Sequence, residues 1–190
     1  MDVERALRGL GRFAPTLKAE GTLDGVFEDV KVQFLWAKGQ QVLEDPTTVA
    51  GMAVGSLVDL FATKVKMIGD RGELRDYFDL MRIEQHTGHR FEEGLDFYVR
   101  RYQLGPDHPS NFAIVRSLGS FNDVERDPYL EQEFGADIFD VVRRYWDGRQ
   151  PEIVGHLDQY GVSSPDRDSI EKRRIDEIVA RSDERGPAGT

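Results

Sequence analysis

Apolar positions recur at helical spacing at the start of the chain. They alternate with polar ones around residue 30 and return to helical spacing from residue 56 onward. Residues 2–14 place Val3, Leu7 and Leu10 on one helical stripe, with Pro15 as the stop. Gly9 and Gly11 each weaken such a helix by about 1 kcal/mol relative to alanine. Residues 22–27 and 30–36 then read as two extended pieces flanking Glu28-Asp29. In the second piece Val30, Val32 and Phe34 alternate with Lys31, Gln33 and Leu35, the period of a half-buried strand, so the two pieces predict a hairpin. Residues 47–54 predict a weaker strand, interrupted by Gly51 and preceded by a loop at Pro46.

The second half of the pattern is helical. Ser56 is the expected N-cap of a helix with Leu57, Leu60, Phe61, Val65 and Ile68 on its apolar stripe, and Asp59 completes a loose capping box. Residues 69–72 (GDRG) break it, and a second helix starts near Glu73 with Leu74, Tyr77, Phe78 and Met81 apolar. A third covers residues 91–102, with Leu95, Tyr98 and Val99 inward. After the Gly105-Pro106 turn, Pro109 starts a helix containing Phe112, Ile114, Val115 and Leu118. An acidic connector at residues 121–125 leads to an amphipathic helix over residues 138–145. Residues 163–190 hold seven acids and six bases but few large apolar residues, the composition of a charged flexible tail. Within it, residues 168–181 can form a partner-docking helix carrying Ile170, Ile175, Ile178 and Val179. The pattern predicts an α+β chain with one domain over residues 1–162. A small, partial mixed or antiparallel sheet comes from residues 15–54 and a helical C-terminal part from residues 56–160.

Composition narrows the chemistry. A length of 190 residues fits one domain with a tail, and the absence of Cys excludes disulfides, thiolate metal sites and Cys nucleophiles. No apolar run approaches the roughly 20 residues of a membrane span, and the start MDVERALRGLGRF carries acids early and has no signal-peptide core, so a cytoplasmic protein with no membrane partner is expected. A net charge of −10 argues against broad adhesion to nucleic acid while leaving room for a local basic cleft. His86, His89, His108 and His156 show no metal-ligand spacing, and no Ser-His-Asp array, Walker loop or GxGxxG is present, so no metal ligand is assigned.

The densest constellation lies in TKVKMIGDRGELRDYFDLM, residues 63–81. Arg71 sits in the break between two helices, while Arg75, Asp76 and Asp79 share one face of the second. Such a corner can aim Lys64 and Arg71 at a phosphate, with the acids fixing arginine geometry by bidentate pairing. Arg75-Asp79 and Arg71-Asp76 can equally be surface pairs, worth a few tenths of a kcal/mol.

Lys64, Arg71, Arg75-Asp76 and Asp79-Leu80 resemble the lysine and RDxxDL motif of the AbiEii/AbiGii nucleotidyltransferase-fold toxin family, known from type IV toxin–antitoxin and phage-defence systems. Residues 22–25 and 30–34 resemble that family's hairpin, and residues 117–125 (SLGSFNDVE) resemble a later segment of one subgroup, so the likeness spans about residues 20–150. The resemblance implies a nucleotidyltransferase-like fold and NTP-dependent nucleotidyl transfer with Mg²⁺. Lys64, Asp76 and Asp79 would be its catalytic residues, and Lys64, Arg71 and Arg75 its substrate-binding residues. Implied partners are a cognate antitoxin and an RNA or protein substrate. The family also carries a Gly-Gly-Ser/Thr turn and an Asp-x-Asp strand ahead of the hairpin, and the roughly 20 residues there supply neither. Gly21-Thr22 with Asp29-Val30-Lys31 mimics the pattern at short separation, with Lys31 in place of the second acid. Gln33 stands where many relatives carry a third metal-binding Asp. Residues 88–97 echo the aspartate strand but have helical apolar spacing. Transfer is thus expected only where another segment or a complementing chain supplies that strand. The alternative expectation is a catalytically inactive NTP-, phosphate- or protein-binding module of the same fold. A missing strand would also leave a sheet edge open to self-association.

Overall fold

Seven helices and two small antiparallel sheets make up the described residues, 2–105 and 108–159, in the computed structural model, an α+β fold. The expected tail at residues 163–190 and its helix at 168–181 lie outside the described residues. The chain divides into two units between Gln41 and Val42.

The first unit begins with helix α1 (Val3–Leu10), capped by the Asp2 side chain, which accepts from the Arg5 N–H. The helix expected over residues 2–14 is cut short because Phe13 is drawn into a strand and buried. Strand β1 (Phe13–Ala19) pairs with β2 (Thr22–Phe27), which pairs with β3 (Val30–Leu35), all antiparallel and in the order β1-β2-β3. The expected hairpin is therefore present, closed by Glu28 and Asp29 at φ 45° and 69°, the left-handed pair of a tight primed turn. Pro15, expected to stop a helix, instead lies in edge strand β1, where the register shifts between Pro15 and Leu17. Gly25 faces the Phe13 ring so closely that a Cβ there would come within 2.4 Å of it. The apolar alternation of β3 does not mark a buried face. Val32 is half-buried, while Val30 and Phe34 are exposed. A three-stranded sheet with one eight-residue helix has little to cover it with.

The second unit opens with the hairpin β4 (Thr47–Val49) and β5 (Met52–Val54). The interruption expected at Gly51 is its turn, with Ala50 and Gly51 at φ 50° and 80°. Six helices follow: α2 (Leu57–Asp70), α3 (Leu74–Thr87), α4 (Phe91–Arg101), α5 (Pro109–Leu118), α6 (Pro128–Phe134) and α7 (Ile138–Gln159). Ser56 caps α2 as expected. The apolar stripe of α2 is rotated, however. Val58, Phe61, Ala62, Val65 and Ile68 are buried, while Leu57 and Leu60 are exposed. Gly94 lets α4 approach α2, since a Cβ there would lie 2.5 Å from the Phe61 ring. Helix α7 continues 14 residues past its expected end at Tyr145, through Gly148 and Pro151, because Trp146, Arg149 and Ile153 keep one face buried. That burial outweighs the local cost of Gly and Pro. Trp146 also donates Nε1–H to the Tyr77 carbonyl of α3 at 3.1 Å.

A charged knot ties α3, α4 and α7 together inside this core. Glu84, buried on α3, accepts from Arg149 Nε at 3.2 Å and Nη2 at 3.0 Å, from the Tyr145 hydroxyl at 2.5 Å and from the Phe91 N–H at 2.8 Å. Arg149 also reaches Glu92 at 2.8 Å and Glu152 at 2.5 Å. Burial alone would push the Glu84 carboxyl up, but the Arg149, Tyr145 and Phe91 hydrogen bonds hold it below its ordinary value. Removing this one partner from a buried, multiply bonded pair costs about 3 kcal/mol. Glu84→Ala is therefore expected to lower the urea midpoint by that equivalent, and a loss below about 1 kcal/mol would show that the knot is not a clamp. A carboxyl depressed in the folded state contributes stability that is present above its unfolded pKa and lost as pH falls through the folded one. Wild-type stability should accordingly decline below about pH 4.5, and Glu84→Gln should flatten that decline in pH-dependent urea titrations.

Candidate functional site

The residues singled out in the sequence lie on α2, α3 and the short turn between them. The turn is tight because Gly72 takes φ 56°, and Arg71 and Gly72 both donate backbone N–H to the Met67 carbonyl. This reversal sets α3 beside α2 and places Asp76, Tyr77 and Leu80 against it, all buried. Asp76 is fully buried, at 0% exposure. Arg71 grips it in a fork, Nε to Oδ2 at 3.0 Å and Nη2 to Oδ1 at 3.2 Å. Lys64 of α2 donates Nζ–H to the same Oδ1 at 3.1 Å and lies 2.5 Å from Asp79 Oδ2. Two cations thus share one buried carboxylate, and Lys64 spans to a second on the next turn of α3.

Four of the five expected residues therefore meet: Lys64, Arg71, Asp76 and Asp79. Arg71-Asp76 is a half-sheltered bidentate pair, unlike the surface pair that spacing alone allows. Arg75 does not pair with Asp79, because it points along the helix start toward Glu73 at 2.9 Å and Asp127 at 3.6 Å. Helix period placed Arg75 and Asp79 as neighbours, but the Lys64 ammonium takes Asp79 from across the helix pair, and Asp127 comes from a loop 52 residues downstream of Arg75.

The segment SLGSFNDVE reaches the same corner. Tyr77 donates its hydroxyl to the Ser117 carbonyl at 3.3 Å, and its ring packs on Phe121 at 4.7 Å between centroids. Burial first, and then the charge of Asp76, push the Tyr77 hydroxyl up to about 12, so it stays a neutral donor. An open groove of about 370 Å³ is lined by Arg71, Arg75 and Arg126 together with Glu73, Asp123 and Asp127. A smaller one of about 230 Å³ lies between Arg71, Tyr77, Ser117 and Asp123. Arg71 and Asp123 line both. The Asp76 hydrogen bond raises the Arg71 guanidinium above its already high ordinary value, so Arg71 is a permanent cation in the lining of each.

The chain matches no family model, no curated protein and no solved structure in the comparisons made. Function therefore rests on the site itself. No helix among the described residues is long and apolar enough to cross a membrane. Nor do three His, Asp or Glu side chains among them group in a way that could hold a metal ion. The donor chemistry agrees at this corner. Both Asp76 oxygens accept from cations, and one Asp79 oxygen lies against Lys64. The Mg²⁺ pair implied by the AbiEii/AbiGii resemblance does not fit these residues.

Asp123 and Asp127 line the groove beside Arg71, a placement that periodicity did not reveal. Asp127 had a local signal, since an Asp-Pro pair opens a helix, and its carboxylate does cap α6 through the Tyr129 and Leu130 N–H groups. The linchpin role of Asp76 makes a direct prediction. Asp76→Ala removes the buried carboxylate that both cations share and leaves Lys64 only Asp79 and Arg71 only the more distant Glu73 at 3.6 Å. It should cost about 3 kcal/mol in urea unfolding, at the low end for a buried pair because Arg71 keeps contact with water. A cost within 0.5 kcal/mol of zero would show that the cations simply turn to solvent.

Proposed function

We propose that this chain is the phosphate-binding, downstream part of a nucleotidyltransferase-like protein of the AbiEii/AbiGii toxin type, acting in toxin–antitoxin or phage defence. The observation that carries the reading is the meeting at Arg71 of two family-like segments far apart in the chain. The lysine and RDxxDL residues supply Lys64, Arg71 and Asp76, and SLGSFNDVE supplies the Ser117 and Asp123 walls of the adjoining groove. Two cations held on one buried carboxylate are pre-organised, so little side-chain entropy is lost when an anion docks on them. Lys64 and Arg71 would contact the phosphates of an NTP, Arg75 would extend the basic edge, and Asp76 and Asp79 would orient the cations.

Nucleotidyl transfer to an RNA or protein acceptor additionally needs two aspartates that hold Mg²⁺, which the described residues do not provide. They would come from another segment or from a complementing chain, and a cognate antitoxin would be the natural regulator. A second reading is favoured by the same neutralised carboxylates: an NTP- or phosphate-binding module without chemistry of its own.

Titration of the purified chain with each NTP, followed by label transfer to RNA and protein in the presence of Mg²⁺, separates the two readings. Lys64→Ala is expected to weaken NTP binding at least about tenfold, the loss of one charge-assisted contact to phosphate. Equal affinity of wild type and Lys64→Ala, at matched folding by circular dichroism, would remove the phosphate-binding reading. Label transfer that depends on Lys64 would decide for the enzyme, and binding without transfer for the module.

A further inference from the structure

The charges of the Lys64 corner cancel. Lys64 and Arg71 are balanced by Asp76 and Asp79, each within 3.2 Å of a cation. An arriving anion therefore meets no net attraction from these four groups until one carboxylate yields. The two carboxylates are not equivalent. Asp76 is fully buried and gripped by both cations, so withdrawing it would leave a buried charge unpaired. Asp79 is 42% exposed on its side chain and contacts Lys64 through one oxygen. Asp79 can turn to water at small cost, because its end of the pair reaches solvent, while Lys64, 18% exposed, keeps Asp76.

The geometry points to Asp79 as a displaceable internal counter-ion: it occupies Lys64 in the empty site and gives way to a phosphate group of the ligand. This inference rests on the phosphate-binding reading of the same corner and adds to it a direction for each acid. Asp76 stays with Lys64 and Arg71 in both states and acts as their positioning residue. Asp79 swings to solvent, and the Lys64 ammonium, still held by Asp76 Oδ1, exchanges one carboxylate oxygen for one phosphate oxygen. The exchange keeps Lys64, Arg71 and Asp76 together, with Glu73 3.6 Å from Arg71, and frees the second contact of the Lys64 ammonium for the ligand. Asp79 thereby sets a threshold. A weak monoanion competes poorly with the tethered carboxylate, whereas a polyphosphate, with several charges and several oxygens, displaces it.

The test is calorimetric titration of wild type and Asp79→Asn with ATP and with tripolyphosphate, with thermal unfolding as a check on folding. Asp79→Asn should bind both about two- to fivefold more tightly, the equivalent of the exposed pair it removes. In a Lys64→Ala background the same substitution should change nothing. Asp147→Asn removes a similarly exposed carboxylate, paired with Arg143 on α7, and serves as the control for overall charge. Tighter binding that needs Lys64 and is not reproduced by Asp147→Asn supports the counter-ion. Weaker or unchanged binding by Asp79→Asn, or an equal gain from Asp147→Asn, overturns it while leaving phosphate binding intact. No binding by wild type and Asp79→Asn alike overturns both.

Discussion

The second unit depends on how α3 carries charge through the core. Eight of its fourteen residues are buried, so most of its circumference faces protein. Two of those eight are carboxylates, Asp76 and Glu84, two turns apart. Neither can remain charged without a partner, because a lone carboxylate in that setting costs several kcal/mol. The surrounding helices answer from opposite sides. Lys64 from α2 and Arg71 from the turn meet Asp76, while Arg149 and Tyr145 from α7 meet Glu84. The pairing and the buried apolar stripes, Phe61, Val65 and Ile68 on α2 and Val142, Trp146 and Ile153 on α7, agree on which face of each helix turns inward.

The two ends of α3 use the same device for different ends. At Glu84 the carboxylate is 1% exposed and its arginine 9%, so the charges are sealed and the group works as a clamp between helices. At Asp76 the carboxylate is sealed but its partners are not. Arg71 is 44% exposed and lines two grooves, and Lys64 leans on the half-exposed Asp79. The buried Asp76 holds the geometry, Arg71 reaches solvent from it, and Lys64, 18% exposed, sits between Asp76 and Asp79. That asymmetry separates a functional reading of this corner from a purely structural one.

Much of this was legible in the chain. The helical segments after residue 56 carry strong periodicity, caps and breakers, so their existence and order follow from local chemistry: Ser56 caps α2, Gly72 ends it, Pro109 starts α5. The Glu28-Asp29 hairpin followed from two extended pieces flanking that pair, the second of them alternating. The candidate site was legible as a cluster because Lys64, Arg71, Asp76 and Asp79 lie within one helix–turn–helix. What could not be read was partner choice. Arg75 and Asp79 share a helix face, yet Asp79 takes Lys64 from α2, while Arg75 turns back to Glu73 beside it and toward Asp127, pairings that helix period does not specify.

Sequence alone determined the α+β class, most helix starts, the absence of thiol chemistry and the address of the charged corner. These are set by local backbone preferences and by which atoms the side chains contain. Only the tertiary structure decided burial. It turned Leu57 and Leu60 outward on α2, left Val30 and Phe34 of β3 exposed, and pulled Phe13 out of a helix into a strand. It carried α7 through Gly148 and Pro151 and closed α6 behind Asp127. It also put Asp76 at 0% exposure and Asp79 at 42%, which sets two acids of one short segment in opposite surroundings. The cause is the same throughout. A residue's free energy depends on the water it loses, and that is fixed by neighbours far away in the chain.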